Sequence, residues 1–212
     1  MLTKIGSVTG KQWKEEYISL LQETNKKDID KLINFLENES DFFIAPASSN
    51  YHGSYEYGLL EHSLKVYENL KCLSTTFENN LTCYNIIIIS LLHDICKVNF
   101  YMKDYRNKKK KDKNNQDILS NGKPIWYSEE FYNFNDTFPF GHGEKSVIML
   151  QKFISLEEIE LYCIRWHMLF FDDITKSYIG NLTLMKALEI CPEIALVHSA
   201  DLLSCNVKLM ED

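Results

Sequence analysis

The stretch IIIISLLHDICK, residues 86–97, decides how this chain is read. From Ile86 to Leu92 only Ser90 breaks the apolar run, which then meets His93 and Asp94. Such a run reads as a helix buried on all sides, with Thr82 placed to cap it and an end near Cys96. An imidazole and a carboxylate at the end of buried apolar structure are costly unless both find partners. The partners have to come from the remainder of the chain.

Working outward, helical periodicity dominates. Thr9 and Gln12 form a candidate capping box ahead of Trp13, Tyr17, Leu20 and Leu21. A second short helix carries Ile29, Leu32, Ile33 and Leu36 on one face. SDFFIAPASS (40–49) holds Pro46 and small polar residues and reads as a loop, after which helix resumes from Leu59 to about Leu73. Later helices are expected from Glu144 to Phe153 and, behind a Ser155/Glu158 capping box, on to His167. DDITKSYIGN (172–181) reads as a break in which Asp172 and Asp173 end one helix and start a loop. Helix is expected again from Leu184 to Ile190, and last from Pro192 at a first helical position to about Met210.

Residues 99–140 lose this periodicity. VNFYM (98–102) and PIWYS (124–128) are expected to pair as a short β-hairpin around the turn SNGKP (120–124), with a mobile basic tip. The expected fold is an all-α helical bundle with a partly irregular insertion at 99–140. Residues 1–42 are read as N-terminal helices packed on a core formed by 43–212.

Bulk properties narrow the classes. The 212 residues suit one domain, and an apolar content of 45% allows a sizeable core. No segment approaches the roughly 20 apolar residues that span a bilayer. The opening MLTKIGSVTG lacks the apolar region of a secretory signal, so a cytoplasmic location is expected. Six cysteines (72, 83, 96, 163, 191 and 205) include no C-x-x-C pair; they read as reduced core thiols and lend no support to a zinc–thiolate site. The net charge of −7 argues against wrapping long nucleic acid. Locally the sign reverses: residues 99–113 hold seven Lys or Arg against Asp104 and Asp112. That segment is either a solvated loop or a phosphate-steering one.

The histidines are 52, 62, 93, 142, 167 and 198. His62, His93, His142 and His167 each fall within or at the edge of a different expected helix. Asp94 adjoins His93, and Asp201 lies inside the apolar ALVHSADLL (195–203). Helices of a bundle can project such side chains into one pocket. Imidazoles with carboxylates suit Mn, Fe, Co, Ni or Zn, with Mg as a further option, better than a calcium cage. His198 shares a helix face with Asp201 and is either a ligand or a packing residue.

LLEHSL, LLHDICK, GHGEKS, IRWHM and HSADLLS, in that order, resemble the HD-domain metal-dependent phosphohydrolases over roughly residues 43–206. YHGSYEYGLLEHSL is similar to the first motif of HD proteins that act as 3′–5′ exoribonucleases, and the two intervening histidines resemble the two-metal members. The resemblance implies an all-α HD bundle in which His62, His93, Asp94 and Asp201 hold one metal. Asp94 would bridge to a second metal completed by His142 and His167. It also implies that Lys97, at i+3 from Asp94 on a continuing helix, contacts phosphate and that Asp94 and Lys97 are the catalytic pair. The chain departs from many two-metal relatives at WHM, where they carry adjacent histidines and only His167 is available here.

Two close divalent ions can clamp a phosphoryl group and generate hydroxide from water at neutral pH. The activity expected is phosphoester hydrolysis on a nucleotide or on short single-stranded nucleic acid, with no membrane and no obligate protein partner. His52, Glu144, Arg106 and Trp126 are candidate substrate contacts, and Tyr132 joins Trp126 as a candidate stacking platform or as packing for the insertion. GHGEKS lacks the P-loop spacing, which excludes a P-loop NTPase. The reading from another class is a non-catalytic module that binds a nucleotide or metal without turnover.

Overall fold

The computed structural model describes residues 7–50 and 53–206. Among these, eight α-helices carry the fold: α1 (Ser7–Glu23), α2 (Ile29–Asn38), α3 (Gly58–Thr76), α4 (Cys83–Leu92), α5 (His142–Leu150), α6 (Glu158–Trp166), α7 (Tyr178–Ile190) and α8 (Glu193–Asn206). The strands are β1 (Tyr101–Lys109), β2 (Leu119–Ser120), β3 (Lys123–Pro124) and β4 (Trp126–Phe134). The molecule is mainly helical, with one β-ribbon arm. No helix among the described residues is long and apolar enough to cross a membrane.

The isoleucine-rich run lies in α4, and every residue from Ile86 to Leu92 is buried. Thr82 caps it by accepting from the Asn85 N–H while the Asn85 side chain accepts from the Thr82 N–H, a complete capping box. Around α4 pack α1, α3 and α6, and α8 closes the far side against α3 and α6. The N-terminal helices belong to the same core. Trp13, Tyr17, Leu21, Ile29, Leu32 and Leu36 are buried in it, and the Tyr17 hydroxyl donates 2.7 Å to the Leu91 carbonyl.

Several expected boundaries move. The α-helical part of the central segment stops at Leu92, not Cys96, and a single 3-10 turn, Ile95–Lys97, follows. α1 starts at Ser7, so Thr9 lies inside its first turn; there Gly10 packs beneath the Tyr57 ring, leaving 3.2 Å for an added Cβ. The capping box of α6 is Glu157 with Glu160, two residues past the expected Ser155. Those carboxylates are fixed by distant partners, Asn85 Nδ2 at 3.0 Å from Glu157 and Lys26 Nζ at 2.7 Å from Glu160. α5 already begins at His142. α7 begins at Tyr178 under a Ser177 cap, well before Leu184, because its first turns leave Tyr178, Ile179 and Leu182 exposed and so hide the periodicity. Pro192 immediately precedes α8, and the expected end near Met210 lies outside the described residues.

The insertion is an ordered antiparallel ribbon with a longer register than expected. Tyr101 pairs with Phe134 and Lys109 with Trp126, so the VNFYM and PIWYS segments lie at opposite ends of the pairing. Asn121 and Gly122 (φ 50° and 74°) turn β2 into β3, the left-handed pair that a two-residue hairpin needs. The basic residues run along the ribbon and largely find carboxylates across it: Lys103 with Glu130 at 3.0 Å, Arg106 and Lys108 with Glu129 at 2.8 and 2.6 Å, and Lys109 with Asp117 at 2.9 Å. Lys110, Lys111 and Lys113 stand at the far end of the ribbon, where Lys111 bridges to Asp117.

Candidate metal centre

Five segments deliver the side chains. His62 stands early in α3, His93 and Asp94 follow α4, His142 opens α5, His167 caps the end of α6 and Asp201 lies in α8. His93 and His167 are fully buried, and Asp94 is 3% exposed. The structure brings all of them together around the Asp94 carboxylate. Its Oδ2 lies 3.3 Å from His62 Nε2, 3.5 Å from His93 Nε2 and 2.6 Å from Lys97 Nζ. Its Oδ1 faces the other two imidazoles, at 2.7 Å from His142 Nε2 and 3.7 Å from His167 Nε2. Asp201 Oδ1 is 3.3 Å from His62 Nε2, and His62 Nε2 is 3.3 Å from His93 Nε2. Each oxygen of Asp94 thus addresses a different pair of rings.

The outward nitrogens fix how the rings present themselves. His93 Nδ1 lies 2.9 Å from the Ser90 carbonyl and His167 Nδ1 2.7 Å from the Ile164 carbonyl. A carbonyl only accepts, so in both rings Nδ1 carries the hydrogen and Nε2 is left to the centre. His62 Nδ1 lies 2.9 Å from Ser204 Oγ, whose own proton is donated 2.6 Å to the Asp201 carbonyl, so that ring is oriented the same way. His167 Nε2 is buried and has no hydrogen-bond partner. Outward N–H bonds with inward bare nitrogens are how metal-ligating imidazoles are held.

Burial alone would raise the Asp94 pKa, but the Lys97 charge and the surrounding imidazoles outweigh it and hold the carboxyl well below its usual range. Burial also opposes ionisation of Asp201, and the His62 bond overrides it, so this acid too is held down. Burial pushes the His93 pKa down to about 4, leaving that imidazole neutral at physiological pH. Desolvation would lower the His142 pKa as well, but Cys96 and Asp94 outweigh it and raise it to about 10. Burial opposes protonation of His62 too, but Asp201 and Asp94 raise its pKa well above the usual range. His62 and His142 therefore pair with the carboxylates as cations, and their protons would give way to a divalent metal bound there. Three sets of donors lie close enough to hold one: His62, His93 and Asp201; His93, Asp94 and His167; and Asp94, Cys96 and His142.

Other candidates fall elsewhere. His198 Nδ1 donates 2.7 Å to the His167 carbonyl and its ring stacks on Phe171, so it steadies the end of α6 from behind. Glu144 is held by Arg165, which also bonds Asp172 at 2.7 Å; Asp172 in turn caps the following 3-10 turn. Arg106 is bonded to Glu129 and lies over the Phe131 ring at 4.8 Å. Trp126 pairs with Lys109, which at a strand rise of about 3.3 Å per residue is roughly 26 Å along the ribbon from Tyr101. Neither Arg106 nor Trp126 is brought to the centre. His52 lies outside the described residues.

Tyr132 is placed better than Trp126. With Tyr101, Lys103, Glu56, Asp41 and residues 44–46 it lines a cleft of about 300 Å³ at the base of the arm. Lys97 remains beside Asp94 although the α-helix ends early, since the 3-10 turn also brings i and i+3 to one side. Sequence reasoning misses Ser204 and Cys96. Ser204 is signalled only by its i+3 spacing from Asp201, and Cys96 reads along the chain as one of the core thiols. Of those thiols, Cys72 and Cys83 are in fact exposed, at solvent-facing helix positions.

Compared with known proteins, the chain matches no family model, no curated protein and no solved structure.

Proposed function

We propose that this chain is a divalent-metal-dependent phosphohydrolase of the HD-domain kind, acting on phosphoesters of nucleotides or short single-stranded nucleic acid. The observation that carries the reading is the inward convergence of Nε2 atoms from His62, His93 and His167 on a carboxylate whose two oxygens face different ring pairs. The ordered motifs of the sequence support it independently. His62, His93, Asp94 and Asp201 would hold one cation, and Asp94 with His142 and His167 a second. Bound there, divalent cations supply Lewis acidity and lower the pKa of water.

The chain's own groups do the rest. Asp94, kept ionised against its burial by Lys97 and the imidazoles, presents a fixed negative centre at every working pH. Burial would lower the Lys97 pKa, but Asp94 raises it, so the ammonium keeps its charge; its side chain is 18% exposed. Lys97 offsets the negative charge that develops on a phosphoryl group in the transition state, and such electrostatic stabilisation accounts for most of the catalysis in phosphoryl transfer. The cleft at the arm base begins at Tyr101, four residues beyond Lys97. Its phenol rings and Lys103 suit a base and a phosphate on the leaving side.

The test is hydrolysis of bis-p-nitrophenyl phosphate by chelated protein reloaded singly with Mn, Fe, Co, Ni, Zn or Mg. Turnover with at least one metal that Asp94→Asn abolishes is the expected result. Stoichiometric metal binding with no turnover under any of the six would replace this reading with that of a binding module.

A further inference from the structure

The third donor set contains a residue outside the histidine and aspartate pattern. Cys96 is 3% exposed in the 3-10 turn after α4. Its backbone N–H donates 3.3 Å to Ser146 Oγ in α5, which holds the turn against the helix that His142 opens. Its Sγ then lies 3.4 Å from His142 Nδ1 and 3.6 Å from His142 Nε2. Asp94 Oδ1 lies 2.7 Å from the same Nε2. One oxygen, one nitrogen and one sulfur therefore surround a common point, all within 4.8 Å of one another. Beside them, His167 Nε2 is wholly buried without a partner and 3.7 Å from the same Asp94 oxygen.

We propose that Cys96 is a thiolate ligand of the cation held by Asp94 and His142. On binding, the Cys96 thiol gives its proton to solvent and its sulfur takes a coordination position, with His167 Nε2 available for a fourth. Metal–sulfur bonds of about 2.3 Å and metal–nitrogen bonds of about 2.0 Å place neighbouring ligand atoms some 3–4 Å apart. The sulfur–nitrogen separations of 3.4 and 3.6 Å fall in that range, and the 2.7 Å oxygen–nitrogen contact has to open slightly on binding. A thiolate selects soft and borderline ions, so this position takes Zn or Fe in preference to Mn or Mg. The set formed by His62, His93 and Asp201 has no sulfur among its own donors; Cys205 lies beside His62 and Ser204, which makes Cys205→Ser the control. The inference rests on the metal-centre reading above and sharpens it.

Cobalt distinguishes the two, because a thiolate–cobalt(II) bond adds a charge-transfer absorption in the near ultraviolet that nitrogen and oxygen ligands lack. Chelated full-length protein is titrated with Co(II), with bound metal counted by elemental analysis. The proposal expects the band in wild type, its retention in Cys205→Ser and its loss in Cys96→Ser. Zinc affinity in Cys96→Ser should fall at least about 10–100-fold, the scale on which even supporting residues act, while manganese affinity stays put. Cys96→Ala, judged folded by circular dichroism, must lose the band too, so that a serine oxygen cannot stand in. Bound cobalt without the band in wild type overturns the Cys96 role and leaves the metal reading intact. A band that survives in Cys96→Ser overturns it equally, and no bound cobalt at all overturns both.

Discussion

At the scale of the residue, the contacts of the candidate centre meet at Asp94. It touches Lys97 and His142 at hydrogen-bond distance and lies within 3.7 Å of three further imidazoles. Asp94→Asn keeps the shape but removes the charge that the rings and Lys97 surround, and metal content by elemental analysis is expected to drop to near zero. Lys97→Met should leave metal content unchanged and lower kcat by about 10²–10³-fold, the cost of one transition-state donor; an unchanged kcat would show that Lys97 only neutralises Asp94. His142→Ala separates the two positions. Two metals per chain falling to one is the outcome for a dinuclear centre, and one metal in both proteins would confine binding to His62, His93, Asp94 and Asp201.

At the scale of the element, the centre depends on how tightly helix ends are seated. Gly143, next to His142, lies so close to α6 that an added Cβ would stand 2.0 Å from the Arg165 carbonyl. Gly143→Ala must push α5 off α6, so about 1–3 kcal/mol of stability is lost and metal affinity falls with it, readable in one thermal titration. The arm is seated by Lys145 of α5, which is buried, bonds Asp136 at 2.7 Å and lies 4.8 Å over the Phe100 ring. Burial would raise the Asp136 pKa, but the Lys145 bond outweighs it and lowers it. A carboxyl whose folded pKa is depressed contributes stability in full above its unfolded value, and loses it as pH falls through the folded one. Hydrogen exchange at residues 98–104 and 131–136 should therefore quicken below about pH 4, and Asp136→Asn should show the faster exchange already at neutral pH.

At the scale of the whole molecule, one core unites the N-terminal helices with the bundle, while the arm stands apart and carries the opposite charge from the rest. Residues 99–134 hold eight basic and five acidic side chains, against a net charge of −7 for the chain. Most arm cations are paired across the ribbon, but Lys110, Lys113 and Lys123 make no ion pair among the described residues. If the arm steers polyanions, replacing these three by Gln raises KM for an oligonucleotide and flattens its dependence on salt. The KM for a mononucleotide ester stays as it was. Equal effects on both substrates would remove the arm from recognition and leave it a structural brace.

Much of this was determined along the chain. Thr82, the isoleucine run and the spacing of Ile29, Leu32, Ile33 and Leu36 dictate their helices locally, through capping and one-sided burial. The types of the clustered residues are equally local, since a His or Asp beside buried apolar residues demands a partner wherever it ends up. What only the tertiary structure decided is which partner each one meets. Spacing assigns a side chain to a helix face but says nothing of how faces of α3, α4, α5, α6 and α8 are turned toward one another, and that packing sets the 3.3 and 3.7 Å approaches at Asp94. The ribbon register was equally out of reach, because it depends on pairing between strands nine residues long rather than on either strand alone. Cys96 shows the difference most sharply: in sequence it is one more apolar-flanked thiol, and only the 3-10 turn packed on Ser146 and His142 makes it a donor.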